Sequence, residues 1–329
     1  MSPPAGDPWA LRAHAAALAT LAVLAVLWVA GVLRCARPTP RQWRMATAAA
    51  VTAAVCVAWP LADLAAHWSL LALIVQRLLL MLVVAPLLLA ATPTQLLARL
   101  TRPAAVDRLA ELVTQPAVAV VAVSVLSTAT LLPSAVAAQA TSAAARGALD
   151  LAMVVAGLVL WEPVLHRVPG TARPTPVGAA VYLVVQSLVP TFLAVVYVFA
   201  RHPFYAVYAH AHGAIGLSPV ADQEVAGIVG KMGTLPVLWT VAYREVARGR
   251  RLHDAGLDAN PLWWPDVERR LQRAERRQRR LAARPVRPGH HRPPRPPRPS
   301  WRPQLVTQFP TVEAAPPEEP SGPDDDRGR

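Results

Sequence analysis

The chain has 329 residues, 54% of them hydrophobic and only 16% charged, with a mean hydropathy of +0.32. Soluble domains carry about a quarter charged residues, so this balance excludes an ordinary cytosolic enzyme. The formal net charge is +13, and the two cysteines, Cys35 and Cys56, are too few for a disulfide framework.

Several near-continuous apolar runs approach the roughly 20 residues that a helix needs to cross a bilayer. In chain order they predict seven spans, near residues 13–33, 46–62, 68–91, 115–133, 147–166, 177–200 and 222–243. The expected fold is therefore all-α, a polytopic transmembrane helix bundle. The first run reads as a span and not as a signal peptide, because the stretch from Arg12 to Gly31 is long and an Arg-rich loop follows it. Cationic short loops stay on the cytoplasmic side. Arg34, Arg37, Arg41 and Arg44 follow the first span, Arg99, Arg102 and Arg108 the third, and Arg167 and Arg173 the fifth. The alternate loops hold only Arg146 and Arg201. This alternation predicts an outer N-terminus and a cytoplasmic C-terminus.

On that topology the polar residues gather at the outer ends of the helices. Asp63 and His67 lie between spans two and three, Asp150 opens span five, His202, His210 and His212 precede span seven, and Asp222, Gln223 and Glu224 open it. Imidazoles and carboxylates converging on one face are the ingredients of a transition-metal site; solvated loop residues are the plainer reading of each one taken singly. Arg77 and Lys231 sit near mid-membrane, where a charge costs roughly 2.5–3.5 kcal/mol and needs a partner or water. Their candidate partners are Asp150, Asp222 and Glu224. Gln76, Arg77, Asp150, Asp222, Gln223 and Lys231 are thus expected to form an intramembrane polar network, either a packing device or a pathway. Glu162, between Trp161 and Pro163, reads as an interfacial anchor.

Residues 1–243 carry 14 basic and 8 acidic groups, and residues 244–329 carry 19 and 12. The chain accordingly divides into a seven-span domain (1–243), a basic juxtamembrane segment with a surface helix (244–284) and a Pro/Arg-rich tail (285–329) ending in Asp324-Asp325-Asp326. The tail is too poor in apolar residues to fold and is expected to be disordered. In the middle segment Asp266 is a plausible N-cap for an Arg-rich helix. Arg269, Arg270, Arg273, Arg276, Arg277, Arg279 and Arg280 are expected to meet anionic lipid head groups, at about 1 kcal/mol each. No nucleic-acid recognition module accompanies them, so nucleic acid is not the expected partner. No nucleophile elbow, P-loop or dinucleotide-binding glycine pattern is present, and a catalytic role is not expected.

Three stretches together resemble one family. Gln76-Arg77-Leu78-Leu79-Leu80 is followed by Ala85-Pro86-Leu87-Leu88-Leu89 and Pro93, similar to an HMxQHxLL…APPLL pattern. Gly157-Leu158-Val159-Leu160-Trp161-Glu162-Pro163-Val164 is similar to a glycine-to-WwPv ending. Pro203-Phe204-Tyr205 with Tyr208, Gly216-Leu217-Ser218 and Asp222-Gln223 with Ala226-Gly227 follow P-l-Y, g-l-s and DQxxAG elements. In this order they resemble the CtaG-type cytochrome c oxidase assembly factors, multi-pass bacterial membrane proteins associated with copper insertion into haem-copper oxidases.

The resemblance implies a membrane-embedded assembly role, an oxidase subunit as partner and copper as the metal handled. Leu73 and Arg77 stand where the family pattern has its two histidines, Leu149 and Asp150 where it has a Glu-His pair, and Lys231 where it has a tryptophan. A guanidinium has no available lone pair and cannot be a metal ligand. Two arrangements stay open: a diverged member in which Arg77 pairs with Asp150, and a displaced copper site made by His67, His202, His210 and His212. A reading from another class is a small-solute, proton or anion transporter using Arg77 and Lys231.

Overall fold

The computed structural model describes residues 9, 14–35, 37–171, 173–209, 216–257 and 264–282. The Pro/Arg-rich tail 285–329, His210 and His212 lie outside the described residues. The unit Met1–Arg277 holds the whole bundle; of the remainder, Gln278–Arg329, only residues 278–282 are described.

Thirteen α-helices are described, and no strand occurs among the described residues. They are α1 (Ala15–Cys35), α2 (Pro40–Val57), α3 (Leu61–Asp63), α4 (Leu70–Leu78), α5 (Ala85–Ala91), α6 (Thr94–Leu100), α7 (Ala104–Val113), α8 (Pro116–Ala129), α9 (Pro133–Thr141), α10 (Ala143–Leu165), α11 (Pro176–Phe199), α12 (Pro219–Asp254) and α13 (Trp264–Ala282). π-helical turns at Leu64–Trp68 and Leu79–Val84 follow α3 and α4. Five helix starts follow directly from local chemistry. Thr39 and Gln42 form a capping box at α2, and the side chains of Ser69, Ser142, Thr175 and Ser218 cap α4, α10, α11 and α12.

Among the described residues five helical stretches are long and apolar enough to cross a membrane: Ala15–Cys35, Leu70–Ala91, Ala143–Leu165, Pro176–Phe199 and Pro219–Asp254. The two other expected spans are broken. Pro40–Val57 bends by 50° into Leu61–Trp68, and Ala104–Val113 meets Pro116–Ala129 at 91°. At 1.5 Å per residue the 14 residues of α8 reach only about 21 Å, short of a hydrocarbon core of about 30 Å. Seven spans is therefore the upper count, reached if each bent pair is one span. In the other direction α12, with 36 residues, runs well beyond the expected end at residue 243.

The core is built around the π-interrupted stretch α4–α5. Leu80, Met81, Leu82, Val84 and Ala85 pack with Met153, Leu160 and Trp161 of α10, Tyr182 and Leu183 of α11, and Leu238 of α12. A π turn leaves a carbonyl without its usual i+4 donor. Here the Trp161 indole supplies one, its Nε1 donating to the Met81 carbonyl at 3.1 Å. Gly157 makes the approach possible: a Cβ there would lie 2.5 Å from Ala85 Cβ and 2.6 Å from the Met81 oxygen. The periphery is different. α1 leaves Val23, Leu24, Val26 and Leu27 exposed as a lipid-facing surface and is tied down by Trp28, whose Nε1 donates to Thr92 Oγ1 at 3.0 Å.

The end of α10 corrects one expectation. Glu162 is buried, not an interfacial anchor, because its carboxylate accepts Arg167 N (3.2 Å), Val168 N (2.7 Å) and Thr171 Oγ1 (3.2 Å). It thereby closes a turn in which His166 takes a left-handed conformation, φ 47°. Arg167, a loop arginine in sequence, reaches back to the carbonyls of Leu89, Ala90 and Thr92 at 3.1–3.3 Å and caps the C-terminus of α5.

α13 corrects another. It docks on protein through one face. Arg273 makes a two-pronged bond to Asp107, Nε to Oδ2 and Nη2 to Oδ1, both 2.9 Å, and reaches Glu111 at 3.1 Å and the Gly170 carbonyl at 2.9 Å. Arg269 donates to the Ala98 carbonyl at 2.7 Å, and Arg276 donates to that of Arg102 at 3.4 Å. Asp266 accepts from Gly170 N at 2.6 Å and pairs with His166 at 2.9 Å. Gly170 has φ +83°, and a Cβ on it would meet Arg269 Cγ at 2.6 Å. Arg269, Arg273 and Arg276 are thus engaged within the chain, by the Asp107 and Glu111 carboxylates and by backbone carbonyls at helix ends. Arg270, Arg277 and Arg279 remain exposed.

Two outcomes follow. Gly157→Val is expected to cost about 1–3 kcal/mol through overpacking, read as a lower melting temperature of the detergent-solubilised protein. Asp107→Asn is expected to raise amide hydrogen exchange across α13 by roughly tenfold or more, since charged hydrogen bonds are worth about 1.5–3 kcal/mol. Burial raises the Asp107 carboxyl, but the Arg273 guanidinium outweighs it, so the group titrates below its ordinary 3.8. A depressed acid contributes stability that is complete above its unfolded value and is lost as pH falls through its folded one. The protection factors of the α13 amides, with the intrinsic pH dependence of exchange divided out, should therefore stay flat down to about pH 4 and fall only below it.

Candidate functional site

At the opposite end from α13, four chain segments converge on one carbonyl. The π turn Leu64–Trp68 closes with Ser69 N donating to the Leu64 oxygen at 2.8 Å. The carbonyl of Ala65 accepts the Tyr208 hydroxyl at 2.5 Å and Gln139 Nε2 at 3.4 Å. The Gln139 side chain then turns its oxygen to Arg77, which donates from Nη2 at 3.1 Å. Arg146 donates to the Gln139 backbone carbonyl from Nε at 3.4 Å and Nη2 at 3.3 Å, and stands 3.5 Å from His67 Nε2. Three tyrosines complete the wall. The Tyr197 and Tyr205 hydroxyls lie 2.6 Å apart, Tyr205 donates to the Leu131 carbonyl at 2.7 Å, and the Tyr205 and Tyr208 rings meet edge to face. Burial pushes the Tyr205 and Tyr208 hydroxyls above their ordinary value of 10, so both stay protonated donors.

The expected polar network resolves into three parts. Arg77 and Asp150 are electrostatically coupled, and Asp150 also senses Arg146. No direct Arg77–Asp150 ion pair occurs among the described residues; the hydrogen bond that Arg77 makes goes to Gln139. Asp222 pairs with neither Arg77 nor Lys231. It caps α4 from a distance, accepting Ser69 Oγ and Leu70 N, both at 2.7 Å. Gln223 beside it accepts Phe204 N at 2.9 Å and donates to the Tyr197 carbonyl at 3.5 Å, tying the loop before α12 to the bundle. Gln76 belongs elsewhere, donating to the Cys56 carbonyl at 2.7 Å across to α2. Lys231 is also separate; its ammonium donates to the Ser187 carbonyl at 3.1 Å and to Thr191 Oγ1, in the turn around Pro190.

A cavity of about 90 Å³ lies beside Arg77, walled by Met81, Met153, Leu193 and Tyr197, and does not reach Lys231. Arg77 Nε and Nη1 and the Gln186 oxygen, both residues lining this space, have no hydrogen-bond partner among the described residues. The volume suits about three waters. Among the described residues this space and the Lys231 ammonium are therefore separate.

Of the four histidines considered for a displaced metal site, His67 lies against Arg146, His202 is exposed, and His210 and His212 fall outside the described residues. Among the described residues no three His, Cys, Asp or Glu side chains group closely enough to hold a metal ion. The Arg77 network does not fit a cation such as copper: its centre is a guanidinium with two free donors, and Arg146 adds a second positive charge. Sequence reasoning missed Gln139, which carries no charge in an Ala-rich helix, and His14, whose Nε2 lies 2.9 Å from Asp63.

Asp222→Ala is expected to lower stability by about 1–3 kcal/mol, since it strips the α4 cap and leaves buried donors unpaired. Asp222→Asn, which keeps an acceptor, should lose less. Thermal unfolding in detergent compares the two, and equal losses would deny the capping role.

A family model described as cytochrome c oxidase caa3 assembly factor matches residues 13–248. No curated protein and no solved structure matches the chain. The family match covers well over half of the sequence and takes in the whole network from His14 to Lys231. The chain belongs to the caa3-type cytochrome c oxidase assembly factor family.

Proposed function

We propose that this protein assists the assembly of a haem-copper oxidase from within the bilayer, as a non-catalytic factor that meets an oxidase subunit laterally and does not carry copper in its Arg77 network. Membership of the family supports the assembly role. The observation that carries the finer reading is the placement of Arg77: it is 3% exposed, bonded to Gln139 and coupled to Asp150. A fixed cation in that place holds helices together and repels a metal ion. The network's work is then to keep α4, α9, α10 and the loop before α12 in register, so that the outer surface of the bundle presents a constant shape to its client. The orientation proposed is the one the loop arginines give, with the N-terminus outside and α13 in the cytoplasm.

The test is a deletion strain complemented by wild type, by Arg77→Gln, or by alanine at His67, His202, His210 and His212 together, each with and without added copper. Reduced-minus-oxidised spectra and oxidase activity are the readouts. Deletion is expected to lower the a-type haem signal, wild type and the four-alanine variant to restore it, and Arg77→Gln to restore it partially. Rescue by copper that the four-alanine variant fails to replace would instead assign copper handling to those histidines. An oxidase unaffected by deletion would reject the assembly role.

A further inference from the structure

The docked face of α13 does more than hold the helix. Where it crosses the end of α6 it encloses a cleft of about 620 Å³, lined by Gln95, Arg99, Arg102, Glu268 and Arg269 among others. Three of these five are arginines and one is an acid, and that acid accepts a hydrogen bond from Gln272 at 3.2 Å. Arg269 is only 6% exposed, and its Nη2 is spent on the Ala98 carbonyl, while Nη1 has no partner among the described residues. Burial pushes its guanidinium below the ordinary value; Asp107 acts next, in the opposite direction, and the charges of Arg273, Arg276 and Arg102 add to the lowering. The chain has thus gathered more positive charge here than it neutralises. A buried guanidinium donor left unpaired in such a field is costly unless a ligand with several acceptor oxygens completes it.

We propose that this cleft binds a phosphate-bearing anion, with Arg269 as its fixed floor and the exposed Arg99 and Arg102 as the arms that close on it. Planar guanidinium forks suit tetrahedral oxyanions. The same chemistry is offered by inorganic phosphate and by the headgroup of an anionic phospholipid. The site is independent of the Arg77 network and of the assembly role, and either can fail without the other.

The full chain is to be titrated in detergent with inorganic phosphate and, in parallel, reconstituted in nanodiscs of phosphatidylcholine with or without phosphatidylglycerol. Thermal shift reads the first, and native mass spectrometry of retained phosphatidylglycerol reads the second. Arg99→Gln with Arg102→Gln removes the arms from exposed positions without touching the α13 contacts, and is expected to weaken binding at least tenfold. Arg270→Gln with Arg277→Gln removes equal charge from the exposed part of α13 and is expected to leave binding within twofold. A response to phosphate alone assigns a soluble anion, and a response confined to phosphatidylglycerol assigns a lipid. No response in either arm, or equal loss in both double variants, would overturn the proposal.

Discussion

Hydrocarbon offers no hydrogen bonds, so every carbonyl that leaves a helical ladder inside a membrane has to find a donor from the protein. The second and third apolar stretches of this chain each depart from the α-ladder once, at Leu64–Trp68 and Leu79–Val84, and much of the bundle's order follows from how those departures are answered. The Trp161 indole answers at Met81, and Tyr208 with Gln139 answers at Ala65. Each answer draws in a helix remote in sequence. Tyr208 brings the loop before α12, Gln139 brings α9 and through it Arg77, and Trp161 fixes α10 at the one place where Gly157 lets it come close.

Much of this architecture was legible beforehand, for a physical reason. Hydropathy over some 20 residues is a property of a segment alone, so the long spans stand out in sequence. Helix starts are just as local: Ser69, Ser142, Thr175 and Ser218 cap the helices they precede. What sequence does not carry is which segments meet. Asp222 reads as a partner for Lys231 on its own helix or for Arg77, yet it closes α4, because tertiary proximity outranks spacing. The Arg-rich helix reads as a lipid ligand because its charges are visible and its acceptors, Asp107 and the carbonyls of Ala98 and Gly170, are scattered over 70 residues of sequence. The right angle between α7 and α8 is hidden for a similar reason, since apolar composition does not report direction.

Arg77 puts a permanent positive charge at the centre of the buried network. Guanidinium is a permanent cation and a planar donor, suited to organise carbonyls and amides and unsuited to replace an imidazole lone pair. Around it the Asp222-Gln223 pair, the tyrosines and the Trp161 turn join separate helices through buried hydrogen bonds.

The stretch from Leu70 to Ala91 is gripped at both ends by groups that do not belong to it, Asp222 at its first turn and Arg167 at its last. Mechanically it is a strut pinned at each membrane face. Such a strut resists sliding along its axis and yields most easily where its ladder is already loosened, at Leu79–Val84. Each end of the stretch therefore keeps its place only while a different, distant segment does, the start of α12 at one end and the loop after α10 at the other.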